Sequence, residues 1–311
     1  MKITEIYENY LNKYGTEQKE ISFVVGTGSY LLNRALIAGG YPSGRIIEIF
    51  GPEGAGKTTL GIHALASAQS MGLKVALIDA ECALDEEYAK AVGLKGKKNV
   101  DFFYGTPDYG EQAFEIMFDL LVSGVSLIVI DSVAALTPKA EIEGEMGEAH
   151  MGLQARMMSQ GMRKLTKLVH DSNAVVIFMN QIRSKIGVFF GSPETTTGGR
   201  ALKFYASQRI EVRNGEALKI GNNVYGKFVK IKVVKNKVGP PLRICQIPFV
   251  FGRGIDLGRE IFDELVLHGK ITKKSSYYYY GEEKLGNGSA KATMIINEDL
   301  DRWRDILNDK S

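Results

Sequence analysis

From residue 45 onward the apolar positions switch between a period of two and a period near 3.6, and that switching predicts the core of the fold. Arg45-Ile46-Ile47-Glu48-Ile49-Phe50 is an apolar run rich in β-branched residues, as a first core strand would be. Residues 59–71 then take helical spacing, with Leu60, Ala64, Leu65 and Ala68 on one side. Further strands are expected at 74–78, 100–104, 127–131 and 174–180, and further helices at about 109–123 and 153–170. Leu127-Ile128-Val129-Ile130 is unbroken by any polar residue, the mark of a strand buried on both faces. Strand alternating with helix in this way predicts an α/β fold, a mostly parallel sheet covered on both sides.

Beyond Gly199 the texture changes to hairpin-like alternation at 208–212, 227–234 and 244–250, and Gly252 to Gly254 reads as a boundary. The remainder mixes helix with short strands. Tyr277 to Tyr280 is read as one of them rather than as a base-stacking surface, and Trp303 as local core. Ahead of the core, Ile3, Ile6, Tyr7, Tyr10 and Leu11 give residues 1–15 the stripe of a short amphipathic helix, ended by Gly15, with a strand expected at 21–25. So short a helix needs something to dock on, either the core or a neighbouring subunit. The division expected is an N-terminal element over 1–30, a core over 31–254 and a small α+β C-terminal domain over 255–311.

Between the first core strand and its helix lies Gly51-Pro52-Glu53-Gly54-Ala55-Gly56-Lys57-Thr58-Thr59, which meets every position of the phosphate-loop pattern in its required strand–loop–helix context. Glycines let backbone N–H groups turn inward around a polyphosphate, and the helix start adds partial positive charge. Lys57 can reach the β- and γ-phosphates and the Thr58 hydroxyl can coordinate Mg²⁺. Asp131, closing an apolar strand 74 residues after Lys57, fits the second nucleotide motif, whose carboxylate holds Mg²⁺ through water. Glu81 ends the next strand on the ligand-binding edge, as a base for the attacking water or as a carboxylate stabilised by the following helix start. Gln181, after the fifth strand, is a candidate sensor of the γ-phosphate.

Composition adds bounds. At 311 residues, 44% hydrophobic and 24% charged, the chain can bury a large core, and no apolar run approaches the ~18 residues a membrane helix needs. The N-terminus lacks a signal-peptide stretch, and Cys82 and Cys245 alone make no disulfide framework; both fit a cytoplasmic protein. Net charge is only +3, yet residues 200–253 hold twelve Lys/Arg against Glu211 and Glu216, either a field for polyanions or a solvated β-surface. Two connections on the ligand edge, 138–152 and 182–199, are too long for plain turns. The second mixes Arg183, Lys185, Phe189, Phe190 and Gly198-Gly199, a nucleic-acid surface or a mobile lid.

Several runs together closely resemble bacterial RecA recombinases: the phosphate loop through Leu60, Ile78-Asp79-Ala80-Glu81, Asp131 through Glu145, His150 through Gln160, Asn180-Gln181-Ile182-Arg183, and Pro193 through Gly199. The likeness spans roughly residues 20 to 300. It implies a RecA-type ATPase that assembles with ATP and Mg²⁺ into helical homo-filaments on single-stranded DNA, then pairs homologous duplex and exchanges strands. Single-strand-binding and loader proteins would be its partners, with no membrane. Matching positions make Glu81 the hydrolytic base and Gln181 the γ-phosphate sensor. Asp85 and Tyr88 become adenine contacts, Lys235 and Lys237 charges reaching a neighbour's ATP, and Phe204 a subunit contact. The first loop would give DNA Met151, Gly152, Arg156, Ser159 and Arg163, and the second Arg183, Lys185, Ile186, Gly198, Gly199 and Arg200.

Departures from the family pattern are equally specific. The N-terminal helix is short, which bears on filament strength. Gly54-Ala55 stands where serines are usual, Cys82 where His is usual, and Arg200 where Asn is usual. The sequence stops at Ser311 without a long acidic tail, from which a less autoinhibited protein is expected. Other readings of the core are a ring-type motor, which would not carry both loop runs, and a filament modulator with a dead site, against which Lys57, Thr58, Glu81, Asp131 and Gln181 stand intact. His63, His170 and His268 lack metal spacing and are expected to be structural or exposed.

Overall fold

The computed structural model describes residues 20–96, 99–145, 152–184 and 194–309; the helix expected over 1–15 lies outside them. The strand expected at 21–25 is only β1 (Val24–Val25), because Ile21 is exposed; β1 pairs antiparallel with β2 (Tyr41–Pro42) around α1 (Tyr30–Leu36). Strict alternation follows: β3 (Arg45–Gly51), α2 (Lys57–Ser70), β4 (Val75–Asp79), α3 (Glu86–Val92), β5 (Phe102–Gly105), α4 (Gly110–Val122) and β6 (Leu127–Asp131). The short α5 (Lys139–Glu143) and the 20-residue α6 (Leu153–Ser172) lead to β7 (Val175–Ser184), β8 (Glu194–Thr196) and α7 (Ala201–Tyr205). Then come β9 (Gln208–Ile220), β10 (Asn223–Asn236), β11 (Ile244–Val250) and β12 (Gly254–Ile255).

The main sheet runs β12-β11-β10-β9-β3-β7-β6-β4-β5. The six strands from β9 to β5 are mutually parallel, and β10, β11 and β12 extend the sheet antiparallel. Successive strand residues point to opposite faces. Ile47, Ile49, Leu77, Val129 and Ile177 therefore pack with Leu60, Ala64 and Leu65 of α2, whereas Ile46, Ile78, Ile130 and Val176 pack with α4 and α6 through Phe114, Met117, Met162 and Leu165. Burial on both sides is what made these strands read as continuous apolar runs.

Four strands differ from expectation for local reasons. β7 runs on to Ser184 because β8 pairs antiparallel with its extension. β9 and β10 are longer than their apolar stretches because they form one long hairpin. β5 begins at Phe102, since Val100 sits fully exposed in a turn.

The C-terminal part comprises α8 (Leu257–Leu267), β13 (Ile271–Lys274), β14 (Tyr277–Tyr280), β15 (Glu283–Asn287), α9 (Gly288–Glu298) and α10 (Leu300–Asn308), with the three strands in a separate antiparallel sheet. Its core closes on Trp303, fully buried, with Tyr280 edge-on at 5.4 Å between ring centroids. The tyrosine run is a strand, as expected.

A buried carboxylate seams α1 to α8. Glu260 accepts from Ser29 Oγ at 2.6 Å and from Tyr30 N at 2.9 Å, and Arg34 pairs with Glu264 beside it. Burial pushes the Glu260 carboxyl up from 4.5 to about 7, against the pull of those hydrogen bonds. The native state thus keeps this proton where the unfolded chain has released it, so stability falls as pH rises from about 4.5 to 7. Glu260→Gln, whose amide can still serve both Ser29 and Tyr30, is expected to remove that component. The wild-type minus variant difference in melting temperature, measured from pH 4.5 to 8, should slope downward and level off above pH 7; a flat difference contradicts the assignment.

Candidate nucleotide and DNA site

The parallel registers bring the chemistry to one edge: Gly51 is paired with Gln181, and Asp79 with Asp131. The phosphate loop leaves β3 so tightly that a Cβ on Gly51 would lie 2.1 Å from the Val212 carbonyl oxygen. Gly56 starts α2 with φ 101° and no side-chain cap, where a Cβ would strike the Phe249 ring. The first-turn amides of α2 are thereby left to an external acceptor, the arrangement a polyphosphate requires. Lys57 Nζ donates to the carbonyls of Gly51 at 3.2 Å and Pro52 at 2.8 Å, and burial lowers its pKa. Glu53 and Gly54 are exposed on the loop and Ala55 is buried beneath it.

Thr58 Oγ1 donates to Asp131 Oδ2 at 2.5 Å. Burial raises the Asp131 carboxyl to about 6 and the charges of Glu81 and Asp79 push the same way, opposed by the Thr58 hydrogen bond and Lys57. A divalent cation at this pair would relieve that crowding of negative charge, and the hydroxyl and carboxylate oxygens suit Mg²⁺. Asp79, almost fully buried, accepts from the amides of Ala83 and Leu84 and from the Tyr104 hydroxyl, fixing the turn that carries Glu81.

Glu81 Oε1 is the meeting point of two connections. It accepts from Ser132 Oγ and, at 3.1 Å, from Gln181 Nε2. Ser132 begins the segment running to α6, whose first turn is pinned by Gln154 Nε2 to the carbonyls of Val133 and Leu136. Gln181 opens the segment running to β8. Behind it, Asn180 binds Thr197 and buried Glu48, and Glu48 pairs with Arg209. At the far end of β8, Arg213 clamps Glu194 and Glu211.

Of the expected adenine contacts, Tyr88 bonds Thr59 at 2.8 Å and lines a cavity of about 330 Å³ with Gly54, Gly56 and Lys227. Asp85 is the exposed N-cap of α3, accepting from Tyr88 N. Lys235 donates to the carbonyls of Lys203 and Phe204, and Lys237 is exposed beside it; neither lines that cavity. Phe204 stands 70% exposed. On α6, Arg156, Ser159 and Arg163 are exposed at i, i+3, i+7 beyond Gly152, its left-handed cap. Gly198 and Gly199, at the described end of the second long connection, lie against Met158 and Ala155 of that helix. Arg183 and Arg200 are exposed nearby in sequence; Met151, Lys185 and Ile186 lie outside the described residues.

The model of the RecA N-terminal domain family matches residues 5–256. Protein RecA of Thermotoga neapolitana is 56% identical over 281 residues, covering 88% of this chain and 79% of its own. Protein RecA of Treponema denticola is 54% identical, covering 89% and 67%, and that of Staphylococcus aureus strain JH9 53%, covering 88% and 78%. The chain belongs to the RecA family. Its function is that of a RecA recombinase, in DNA recombination and repair.

For a RecA-family chain, sequence reasoning missed four features that the fold supplies. Ser132 and Asp79 flank expected residues, yet their roles depend on where Glu81 lands. Phe249, Phe251 and Gly252 complete the Tyr88 cavity from far along the chain, without a spacing signal. The Glu48–Arg209 pair joins two strands 161 residues apart. Of the three histidines expected to be structural or exposed, His63 is half-buried, accepts from Ile255 N and is held down to about 4 by desolvation, while the His170 and His268 side chains are partly exposed. Among the described residues no helix is long and apolar enough to cross a membrane.

Proposed function

We propose that the chain is a cytoplasmic, single-stranded-DNA-dependent ATPase that polymerises on DNA as an ATP-bound helical filament and uses it to pair and exchange homologous strands. The observation that carries this reading is the Glu81 carboxylate bonded at once to Ser132 and Gln181. A general base tied to the stems of both DNA-facing connections lets DNA occupancy and hydrolysis influence each other.

Lys57 and the loop Gly51–Thr59, through its backbone N–H groups (Pro52 has none), hold the phosphates, with Tyr88 and Asp85 toward the base. Mg²⁺, held by Thr58 and by Asp131, would neutralise charge on the phosphate oxygens. Glu81 orients the attacking water and takes its proton. Gln181, leaving Glu81 for the γ-phosphate, pulls on β7 and so on the segment between Arg183 and Gly199. Lys235 and Lys237 act in trans on a neighbour's nucleotide, with Phe204 in that contact. Arg156, Ser159, Arg163, Arg183, Gly198, Gly199 and Arg200, with Met151, Gly152, Lys185 and Ile186, face the DNA. Residues 1–30, 31–254 and 255–311 serve as assembly element, motor and C-terminal domain.

The test is phosphate release with and without single-stranded DNA. Hydrolysis should rise at least about tenfold with DNA, and Lys57→Ala should abolish it. Equal rates with and without DNA would contradict the coupling.

A further inference from the structure

Lys227 belongs to β10, in the antiparallel part of the sheet, yet its ammonium reaches the phosphate loop. Nζ donates to the carbonyl of Gly54 and to Asn214 Oδ1. Both acceptors are uncharged, and burial draws the pKa of this amine down. The side chain lines the cavity of about 330 Å³ together with Thr58, Thr59, Tyr88, Phe251 and Gly252. Glu81 and Asp131 line a different, smaller cavity, which touches the first only at Thr58. A partly desolvated ammonium with neutral partners keeps most of its charge unanswered, and an anion beside it would be held by a charge-assisted hydrogen bond.

We propose that Lys227 is a second nucleotide-contacting lysine, supplied in cis from β10, which meets phosphate on the adenosine side of the phosphate loop. This rests on the nucleotide reading above and deepens it. Lys227 stands away from the hydrolytic carboxylates, so its contact is made with the diphosphate as much as with the triphosphate, and it strengthens ground-state binding. Gly54, with no side chain and nothing near its Cβ position, leaves the ammonium room at the loop.

Binding of ADP and of adenosine to the full chain should be measured by equilibrium titration at low and high salt for wild type, Lys227→Gln and Lys227→Arg, with melting temperatures alongside. Lys227→Gln keeps a neutral donor for the Gly54 carbonyl. It is expected to weaken ADP by about tenfold, the worth of one hydrogen bond to a charged group, while adenosine changes less than about twofold. The salt dependence of ADP binding should become shallower, and Lys227→Arg should restore most of the affinity. If the Gln variant binds ADP as wild type does, the proposal is overturned. Equal weakening of ADP and adenosine also overturns it, marking Lys227 as a tether for the loop. A wild-type chain that binds no ADP would instead overturn the nucleotide reading, and the proposal with it.

Discussion

Glu81→Gln lowers single-stranded-DNA-dependent ATP hydrolysis by about 100- to 10,000-fold, the usual worth of a positioned general base, and leaves nucleotide affinity within about threefold. The substitution is chosen for what it preserves. Ser132 Oγ and Gln181 Nε2 both donate to the single oxygen Oε1, and a glutamine oxygen can accept from both. The turn itself is held by Asp79 through the Ala83 and Leu84 amides, not by Glu81. Proton acceptance is lost while the geometry stays. A rate loss below tenfold, measured at saturating ATP and DNA, would assign Glu81 to stabilising the helix start instead.

Arg209→Met is the most destabilising single change expected outside the hydrophobic cores. Glu48 is fully buried in β3, and Arg209 on the adjacent parallel strand answers its charge while stacking 4.6 Å from the Phe50 ring centroid. Removing one partner of a buried pair strands the other, at a cost of about 3–5 kcal/mol, or roughly 5–10 °C in melting temperature for a chain of this size. The double variant Glu48→Leu/Arg209→Met should recover more than half of that loss, since no charge is left unpaired and Asn180 Nδ2 retains the Thr197 carbonyl. Additive losses in the double-variant cycle would mean that the two side chains act independently.

The legibility of the fold in the sequence follows from burial. Strands covered on both faces, such as Leu127–Asp131, announce themselves as apolar runs, and the phosphate loop carries its own motif with strand and helix in place. Strand ends were less legible where pairing extends beyond the apolar stretch, as in β7, because antiparallel pairing with β8 is a long-range event that leaves no local periodicity. The site divided in the same way. Lys57, Thr58 and Asp131 were named from local pattern and lie together, with Thr58 bonded to Asp131. Lys227 and Phe249, on β10 and β11, and Gly252, in the turn after β11, line one cavity with Lys57 and Thr58, and nothing in their neighbourhoods in the sequence points to a nucleotide. Gly198 and Gly199 stand out in the sequence as loop residues; their packing against Met158 and Ala155 depends on the folded position of α6.

The most direct test of the account is ATP-dependent joint-molecule formation between single-stranded DNA and supercoiled duplex, with homologous and heterologous duplex compared. Joint molecules are expected only with homology and only with ATP, and none with Lys57→Ala. DNA-stimulated hydrolysis without homology-dependent pairing would contradict it.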